Sequence, residues 1–288
     1  MCADTVAIPA SIISDTPHLR EKTAKLGSIA RSCSIFGVDQ ILVYADDPDH
    51  NQKKDFDTCT EILRFLETPQ YLRKRLFSLG PDLRYVGILP PLQIPSHNVP
   101  RTLQECVPGD LREGVITARS GDSLKVDVGL ESLAECQGRL AVGTRTTVKV
   151  TSTEKLAGEL IDRTKMSMSQ RNMQPTYWGY KVGTSTSIGR LLQSSRFDLK
   201  VGTSRYGSPV AEIWTPFLKA VKNTNSVLIA FGSPRMGLQE ILQQEKLAAK
   251  DLFNYFVNMV PDQKTATVRT EEALLISLSI LNLARALS

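Results

Sequence analysis

Strand-type and helix-type patterns alternate in two parts of this chain, and this alternation limits its fold more than any other feature. In the first part, apolar runs at residues 6–11 and 40–45 are each followed by a helical pattern, at about 15–36 and 53–77. After residue 160 the alternation returns, with strand-type runs at 177–182, 197–203, 226–231 and 252–258 and a last helix with Thr270 as its N-cap. Such alternation predicts a parallel sheet covered by helices.

Between these two parts, the chain has only short strand-type runs separated by turns. They lie at residues 114–118, 123–128, 139–142 and 146–151. Short strands at this spacing predict a small all-β unit, and we favour a five-stranded barrel of the oligonucleotide-binding (OB) type. An ordinary β-insertion without a binding role is the alternative. The predicted domains are therefore an α/β domain of residues 1–82 plus 159–288 and an OB-like insertion of residues 83–158 that binds RNA.

The charge balance is mildly basic, with 35 Lys and Arg residues against 30 Asp and Glu residues and a net charge of +5. A basic excess suits a polyanionic partner such as RNA, although many enzymes are equally basic. The charge therefore permits RNA binding and does not require it.

Signals for metals, membranes and export are not evident in the sequence. The five cysteines lie far apart without a CxxC pair, and the three histidines are scattered, so we expect reduced thiols and no metal. The longest apolar stretch, residues 273–281, is too short to span a bilayer, and residues 1–5 do not begin a signal peptide. We expect no membrane association and a cytoplasmic location.

Loops rich in small residues follow the strand-type runs of the C-terminal part. Gly232 and Gly237 have the outer spacing of a phosphate-binding loop, but Leu238 stands where that loop requires lysine. A GxGxxG dinucleotide motif is also absent from the sequence. Because ligands of α/β sheets bind at the carboxyl ends of the strands, the four loops predict a binding site. The alternative is that their glycines only cap helices and turn the chain. The loops are 183–187, 202–207, 231–237 and 259–272.

Residues 155–283 resemble the C-terminal half of the archaeal and eukaryotic branch of the SPOUT, or α/β-knot, RNA methyltransferases. The matching stretches are 160–165, 177–182, 198–207, 227–238 and 267–278, which include Phe-Gly-Ser-Pro-Arg-Met-Gly at 231–237. Residues 27–39 resemble the first SPOUT motif, a helix with one arginine before a Phe-Gly-Val turn. The resemblance implies a Rossmann-like parallel sheet with a C-terminal trefoil knot, S-adenosylmethionine as cofactor and a homodimer.

The resemblance also implies roles for particular residues. Arg31 matches the first-motif arginine and is the expected catalytic residue. Arg190 and Arg205 are expected to contact RNA phosphates for a different reason, since they lie in turns at the ends of predicted strands or helices. After Phe231, related proteins often have a glycine-rich run with an acidic residue, whereas this chain has Arg235-Met-Gly, so the side chain that meets the amino-acid end of the cofactor stays unassigned. The expected cofactor-binding residues are Phe231, Gly232, Ser233, Pro234, Gly237, Met259, Val260, Pro261, Gln263, Val268, Arg269 and Thr270.

Two functions follow from these expectations. The first is an S-adenosylmethionine-dependent RNA methyltransferase that acts on ribosomal RNA, with uridine N3 as the first candidate target. The second is a non-catalytic scaffold that binds RNA or a protein partner and keeps a vestigial cofactor pocket. The last helix is apolar around more than one face, which favours a homodimer under either function.

Overall fold

The computed structural model describes residues 3–78, 80–162, 177–194 and 197–287. Cys2 and residues 163–165 of the predicted motif at 160–165 lie outside these ranges. The chain forms two compact units, of which the first comprises Met1–Leu66, Asp82–Pro90 and Tyr180–Ser288, and the second Glu67–Pro81 and Pro91–Gly179. The boundaries differ from those of the sequence-based division, since residues 67–81 and 159–179 belong to the second unit and residues 83–90 to the first.

The α-helices and β-strands of the described residues follow one another in the alternation that the sequence predicts. In chain order, the strands are β1 (Ala3–Pro9), β2 (Gln40–Tyr44), β3 (Leu111–Ser120), β4 (Ser123–Asp127), β5 (Ala134–Gln137), β6 (Arg145–Ser152), β7 (Ala157–Ile161), β8 (Lys181–Ser185), β9 (Leu199–Pro209), β10 (Ser226–Ala230) and β11 (Tyr255–Asn258). The α-helices are α1 (Leu19–Ile35), α2 (Lys53–Glu67), α3 (Gln70–Leu76), α4 (Ile188–Ser194), α5 (Trp214–Lys222), α6 (Leu238–Gln244), α7 (Ala249–Leu252) and α8 (Thr270–Ala286).

A six-stranded parallel sheet with the order β11-β9-β10-β1-β2-β8 forms the centre of the first unit, which confirms the predicted sheet. Its central strands are apolar on both faces, as in sheets covered by helices on both sides. Val6, Ile8 and Leu228, for example, are fully buried. Since all strands are parallel, the carboxyl ends of β9, β10 and β11 lie at the same edge of the sheet. The trefoil knot implied by the resemblance stays a prediction.

Helices α1 and α8 pack against each other in the first unit. The buried face of α8 includes Leu274, Leu278 and Leu281, whereas Leu275 and Leu283 are 43% and 51% exposed. The sequence predicted Thr270 as the N-cap of α8, but Thr270 is the first residue of the helix. The N-cap is residue 269, whose backbone N–H donates to Glu272 Oε2 at 2.9 Å. Glu272 at the third helical position thus supplies one of the two hydrogen bonds of a capping box.

Several predicted boundaries were wrong for local reasons. The predicted helix at 53–77 is two helices, α2 and α3, because Pro69 adopts an extended conformation between them. Helix α1 begins at Leu19 with His18 as its N-cap, and not at Asp15. The run at 139–142 is not a strand, and Ala134–Gln137 forms β5 instead. Leu140 and Val142 are exposed, so the apolar character of that run does not reflect burial.

The second unit contains a closed barrel with the strand order β3-β4-β5-β7-β6. This confirms the predicted five-stranded barrel. Its interior is apolar and includes Leu124, Val126 and Val148, which are fully buried. The assignment to the OB type and the role in RNA binding stay predictions.

A buried charge cluster lies inside the second unit. Arg145 donates to Glu67 at 2.6 and 3.0 Å and to Glu113 at 2.6 Å, and Thr147 and Trp178 donate to Glu113 at 2.7 Å. Burial raises the pKa of Glu67 to about 7, although Arg145 acts in the opposite direction. The stability of this unit should therefore depend on pH near neutrality.

Candidate functional site

A cavity of about 590 Å³ lies in the first unit at the carboxyl ends of β9, β10 and β11. The three loops that surround it comprise residues 231–237, 258–263 and 267–270. Of the twelve predicted cofactor-binding residues, all except Pro261 line the cavity, so the fold brings together residues that are distant in sequence. The lining residues in this set are Phe231, Gly232, Ser233, Pro234, Gly237, Met259, Val260, Gln263, Val268, Arg269 and Thr270.

The first loop, residues 231–237, is closed by its own hydrogen bonds. The N–H of Ser233 donates to the Met236 carbonyl at 2.8 Å, and the N–H of Met236 donates back to Ser233 Oγ at 3.0 Å. A β-carbon on Gly232 would lie 2.9 Å from the Met236 oxygen and 3.0 Å from Gly237 Cα and from the Leu238 nitrogen. These neighbours are backbone atoms, so the loop can close in this way only around a glycine.

Gly237 in the same loop has space for a β-carbon. A β-carbon there would have Glu240 Oε2 at 3.9 Å as its nearest neighbour. The Gly237 N–H donates to the same carboxylate oxygen at 2.8 Å, which caps the beginning of α6. The two glycines of the motif therefore differ in how much a side chain would disturb the loop.

Tyr44 at the end of β2 holds the start of this loop, and the sequence did not point to it. Its hydroxyl donates to the Phe231 carbonyl at 2.5 Å, and the Phe231 N–H donates to the Ala7 carbonyl at 3.0 Å. Burial raises the pKa of Tyr44 well above its ordinary value, with Asp46 and Glu245 adding to the effect, so the phenol stays a donor. A tyrosine in an apolar strand carries no signal of this contact.

The second and third loops are tied to each other and to β9. The Asn258 amide donates to the Arg205 carbonyl at 3.0 Å, and its oxygen accepts from the Val260 N–H at 2.9 Å. The Arg205 guanidinium donates to the Ala266 carbonyl at 3.1 Å, and the Thr270 hydroxyl donates to the Gly232 carbonyl at 3.5 Å. These side-chain bonds hold loops that have few backbone partners of their own.

The three predicted arginines have different positions. Arg205 lines the cavity, and its guanidinium lies 4.6 Å from the ring centroid of Tyr206, which is 75% exposed. Arg190 on α4 is exposed, donates to Thr186 Oγ1 at 3.3 Å and does not line the cavity. Arg31 is exposed on α1 and also does not line it. The structure therefore brings only Arg205 to the cavity of its own chain.

Helix α1 contributes Lys25 to the cavity in place of Arg31. The two residues are six positions apart, which separates them by about 240° around the helix axis. Lys25 Nζ donates to both carboxylate oxygens of Asp15, at 2.9 and 3.0 Å, and lies 3.6 Å from Glu271 Oε2. Asp15 and Ser277 also line this side of the cavity. We call Asp15, Lys25 and Ser277, together with Glu271, which contacts Lys25 but does not itself line the cavity, the polar wall. Asp15, Lys25 and Ser277 were not among the site residues predicted from the sequence.

Lys25 favours the ionised form of Asp15 in the polar wall. Burial acts to raise the pKa of Asp15, but the hydrogen bond and the positive charge of Lys25 outweigh it and lower that pKa. Asp15 is therefore a carboxylate at neutral pH. With a lowered pKa it is a weak proton acceptor, which suits the binding of a cation better than general-base catalysis.

The described residues contain neither a metal-binding cluster nor a membrane-spanning helix. Among them, we find no cluster of three or more His, Cys, Asp or Glu side chains with the arrangement of a metal site. In the same ranges, every helix is too short or too polar to cross a bilayer. The four cysteines of the described ranges, Cys33, Cys59, Cys106 and Cys136, are free and buried.

Comparison with known proteins gives matches over nearly the whole chain. The 28S rRNA (uridine-N(3))-methyltransferases of Mus musculus and Homo sapiens are each 31% identical to it, over 301 and 305 residues, and the alignments cover 96% of this chain and 75% and 77% of theirs. An uncharacterized protein of Halobacterium salinarum is 29% identical over 295 residues, which cover 97% of this chain and 98% of that protein. A family model described as "Putative RNA methyltransferase" matches residues 4–281. The chain therefore belongs to this family of RNA methyltransferases, in agreement with the resemblance found in its sequence.

Proposed function

We propose that this protein transfers a methyl group from S-adenosylmethionine to ribosomal RNA, with uridine N3 as the target atom. The observation that carries the proposal is the cavity at the carboxyl ends of β9, β10 and β11, which eleven of the twelve predicted cofactor-binding residues line. The names of the mouse and human relatives support the choice of uridine N3 in a large ribosomal RNA. The cytoplasmic location stays a prediction.

The residues of the cavity fit this cofactor in size and chemistry. The volume of about 590 Å³ is within the usual range for pockets that enclose a nucleoside-sized ligand. The close backbone approach at Gly232 leaves the edge of the first loop without side-chain bulk at that point. Ser277, which is fully buried, lines the cavity with a hydroxyl that has no hydrogen-bond partner in the described parts of the chain.

Each loop is assigned a different role in binding the cofactor. We assign residues 231–237 and 258–263 to the adenine and ribose, with backbone groups as the main contacts, and residues 267–270 to the closure of the site. When bound, S-adenosylmethionine supplies a methyl group on a positively charged sulfur. The loops orient it, and positioning dominates such a transfer because no covalent enzyme intermediate is needed.

The target nitrogen of uridine carries a proton, which passes to solvent water as the nitrogen attacks the methyl group. While the proton leaves, negative charge develops on the nitrogen and on the two neighbouring carbonyl oxygens, so a fixed cation near them lowers the barrier. Arg205 is a cation on the cavity wall, and the exposed ring of Tyr206 beside it offers a surface on which a base can stack. We therefore assign the entrance for RNA to this pair.

Arg31 has a place in this proposal only if the protein is a dimer. On its own chain it does not line the cavity, so a catalytic Arg31 must act on the cavity of a partner protomer. The exposed apolar residues Leu275 and Leu283 of α8, which packs on α1, support a twofold interface near this helix.

A complementation experiment tests this arrangement. Arg31→Ala and Gly232→Val should each inactivate the homodimer, whereas mixed dimers should regain activity, because one of their two sites has an intact Arg31 and an intact Gly232 loop. Copurification of two differently tagged protomers is the control for subunit exchange. Lack of recovery in proven mixed dimers would place Arg31 outside the partner's site.

Two measurements distinguish an enzyme from a non-catalytic scaffold: binding of the cofactor and transfer of its methyl group to RNA. Calorimetry with S-adenosylmethionine and incorporation of labelled methyl into total RNA should both be positive for an enzyme. Binding without incorporation into any RNA, including RNA from cells that lack the protein, would favour the scaffold.

A further inference from the structure

The polar wall has features that neither the packing of α1 against α8 nor the roles assigned above explain. The side chain of Lys25 is only 7% exposed, and it faces two carboxylates, those of Asp15 and Glu271. A lysine this deeply buried is rare unless it is paired, and here it is paired at the surface of a cavity. The three charged groups leave one negative charge in excess on this wall.

Ser277 is the second unexplained feature. It belongs to the buried face of α8, with Leu274 and Leu278 as its neighbours on that face, and it is fully buried itself. Ser277 is one of the residues that line the cavity, and its Oγ has no hydrogen-bond partner among the residues that the structure describes. A buried hydroxyl without a partner destabilises a fold, whereas an apolar residue would not. A ligand atom in the cavity would satisfy this hydroxyl.

Together these groups match a ligand end that has both signs of charge. Asp15 is 39% exposed in its side chain and is the accessible carboxylate, so it can accept from an ammonium group. Lys25 donates two of its protons to Asp15 and lies 3.6 Å from Glu271, beyond a good hydrogen bond, so one donor is left for a carboxylate. The Ser277 hydroxyl is a further donor.

We propose that the polar wall binds the α-amino-acid end of the methyl donor, with Asp15 contacting its ammonium group and Lys25 and Ser277 its carboxylate. This inference rests on the proposed function and supplies the contact that the resemblance leaves unassigned. The target base is the less suitable occupant, because a uracil ring is neutral and offers no group that requires a buried ammonium and a carboxylate together. The base must also enter from a polymer, whereas Lys25 and Ser277 lie deep in the wall.

A comparison of two adenosyl thioethers measures how much the amino-acid end contributes to the affinity. S-Adenosylhomocysteine and 5′-methylthioadenosine both carry an uncharged sulfur, and they differ by the amino-acid end. Wild-type protein should bind the first at least tenfold more tightly in calorimetry, since charge-assisted hydrogen bonds are the strong ones. Asp15→Asn, Ser277→Ala and Lys25→Met should reduce or abolish this preference and leave the affinity for methylthioadenosine within about twofold, because the loops that hold the adenosine are unchanged.

Lys22→Met is the matched control, since Lys22 lies on the same helix, pairs with Asp55 at 3.9 Å and does not line the cavity. It should keep the wild-type preference. If Lys25→Met does not fold, Asp15→Asn and Ser277→Ala carry the test, and their affinity for methylthioadenosine reports an intact site.

The outcomes separate this inference from the function on which it rests. Loss of the preference in the wall variants, with methylthioadenosine binding retained, supports the inference. Equal affinities of wild type for the two thioethers, or an unchanged preference in folded Asp15→Asn and Ser277→Ala, would overturn it and leave the proposed function standing. Failure of wild type to bind any adenosyl compound would overturn both.

Discussion

Addition of one methyl group to Gly232 is the sharpest test of the first loop. In Gly232→Ala, the new β-carbon would lie 2.9 Å from the Met236 oxygen, which is closer than real β-carbons approach, and 3.0 Å from Gly237 Cα and the Leu238 nitrogen, which is tighter than most real β-carbon contacts. The loop must therefore open, and the hydrogen bonds between Ser233 and Met236 must lengthen. Overpacking of this kind costs about 1–3 kcal/mol, which corresponds to roughly fivefold to hundredfold weaker binding if the displaced loop is a contact surface.

Gly237→Ala is the control for this substitution. It adds the same methyl group to the same loop, but the nearest atom would be a side-chain oxygen at 3.9 Å. We expect it to change the affinity for S-adenosylmethionine by less than about threefold, since it creates no overlap. Gly232→Val, with a branched side chain, should be more damaging than Gly232→Ala and should weaken binding by about 2 kcal/mol or more.

Calorimetry with S-adenosylmethionine measures the binding, and thermal unfolding shows whether each variant is folded. The expected order of affinities is wild type, then Gly237→Ala, then Gly232→Ala, then Gly232→Val. Wild-type affinity in a folded Gly232→Val protein would refute the reasoning and remove this loop from the cofactor site.

Three further predictions concern other parts of the molecule. Arg31→Ala should keep cofactor binding and reduce methyl transfer about a hundredfold or more, with partial rescue by Arg31→Lys; transfer within a few-fold of wild type would end the catalytic role. Because the pKa of Glu67 is raised to about 7, this group makes the folded protein more stable below its ordinary pKa, and that contribution is lost as the pH rises toward 7. Urea unfolding at pH 5 and pH 7.5 should show a smaller pH dependence for Glu67→Gln than for wild type, and an equal dependence would contradict the assignment. Light scattering should give a dimer mass at micromolar concentration for wild type and a monomer mass for Leu275→Glu combined with Leu283→Glu; a monomer mass for wild type would contradict the predicted dimer.

The sequence predicted best those elements whose residue types are determined by a single requirement, such as burial on both faces of a strand. Residues 6–8 of β1 and 227–230 of β10 are buried on both faces, so these stretches are continuous apolar runs, and a parallel sheet follows. Gly232 was expected at the site from the family resemblance, and the structure gives a physical reason for a glycine there, since a β-carbon would come too close to the backbone of residues 236–238. The motif order, rather than any single residue, led to the family.

The parts that the sequence did not predict depend on contacts between distant residues. Lys25 looks like one of several charged residues on α1, and only its pairing with Asp15 and Glu271 sets it apart. Tyr44 is separated from Phe231 by 187 positions, and its pattern is that of any buried strand residue. The strand at 134–137 was missed because the neighbouring run at 139–142 is more apolar although it is exposed.

The most direct test of the central claim is the identity of the nucleoside that this protein methylates. Ribosomal RNA from cells that lack the protein is incubated with it and with methyl-labelled S-adenosylmethionine, digested to nucleosides and separated with standards. The account predicts label in 3-methyluridine with wild type and its loss with folded Gly232→Val. Absence of labelled nucleoside with a folded wild-type protein that binds S-adenosylmethionine, or equal labelling by the variant, would contradict it.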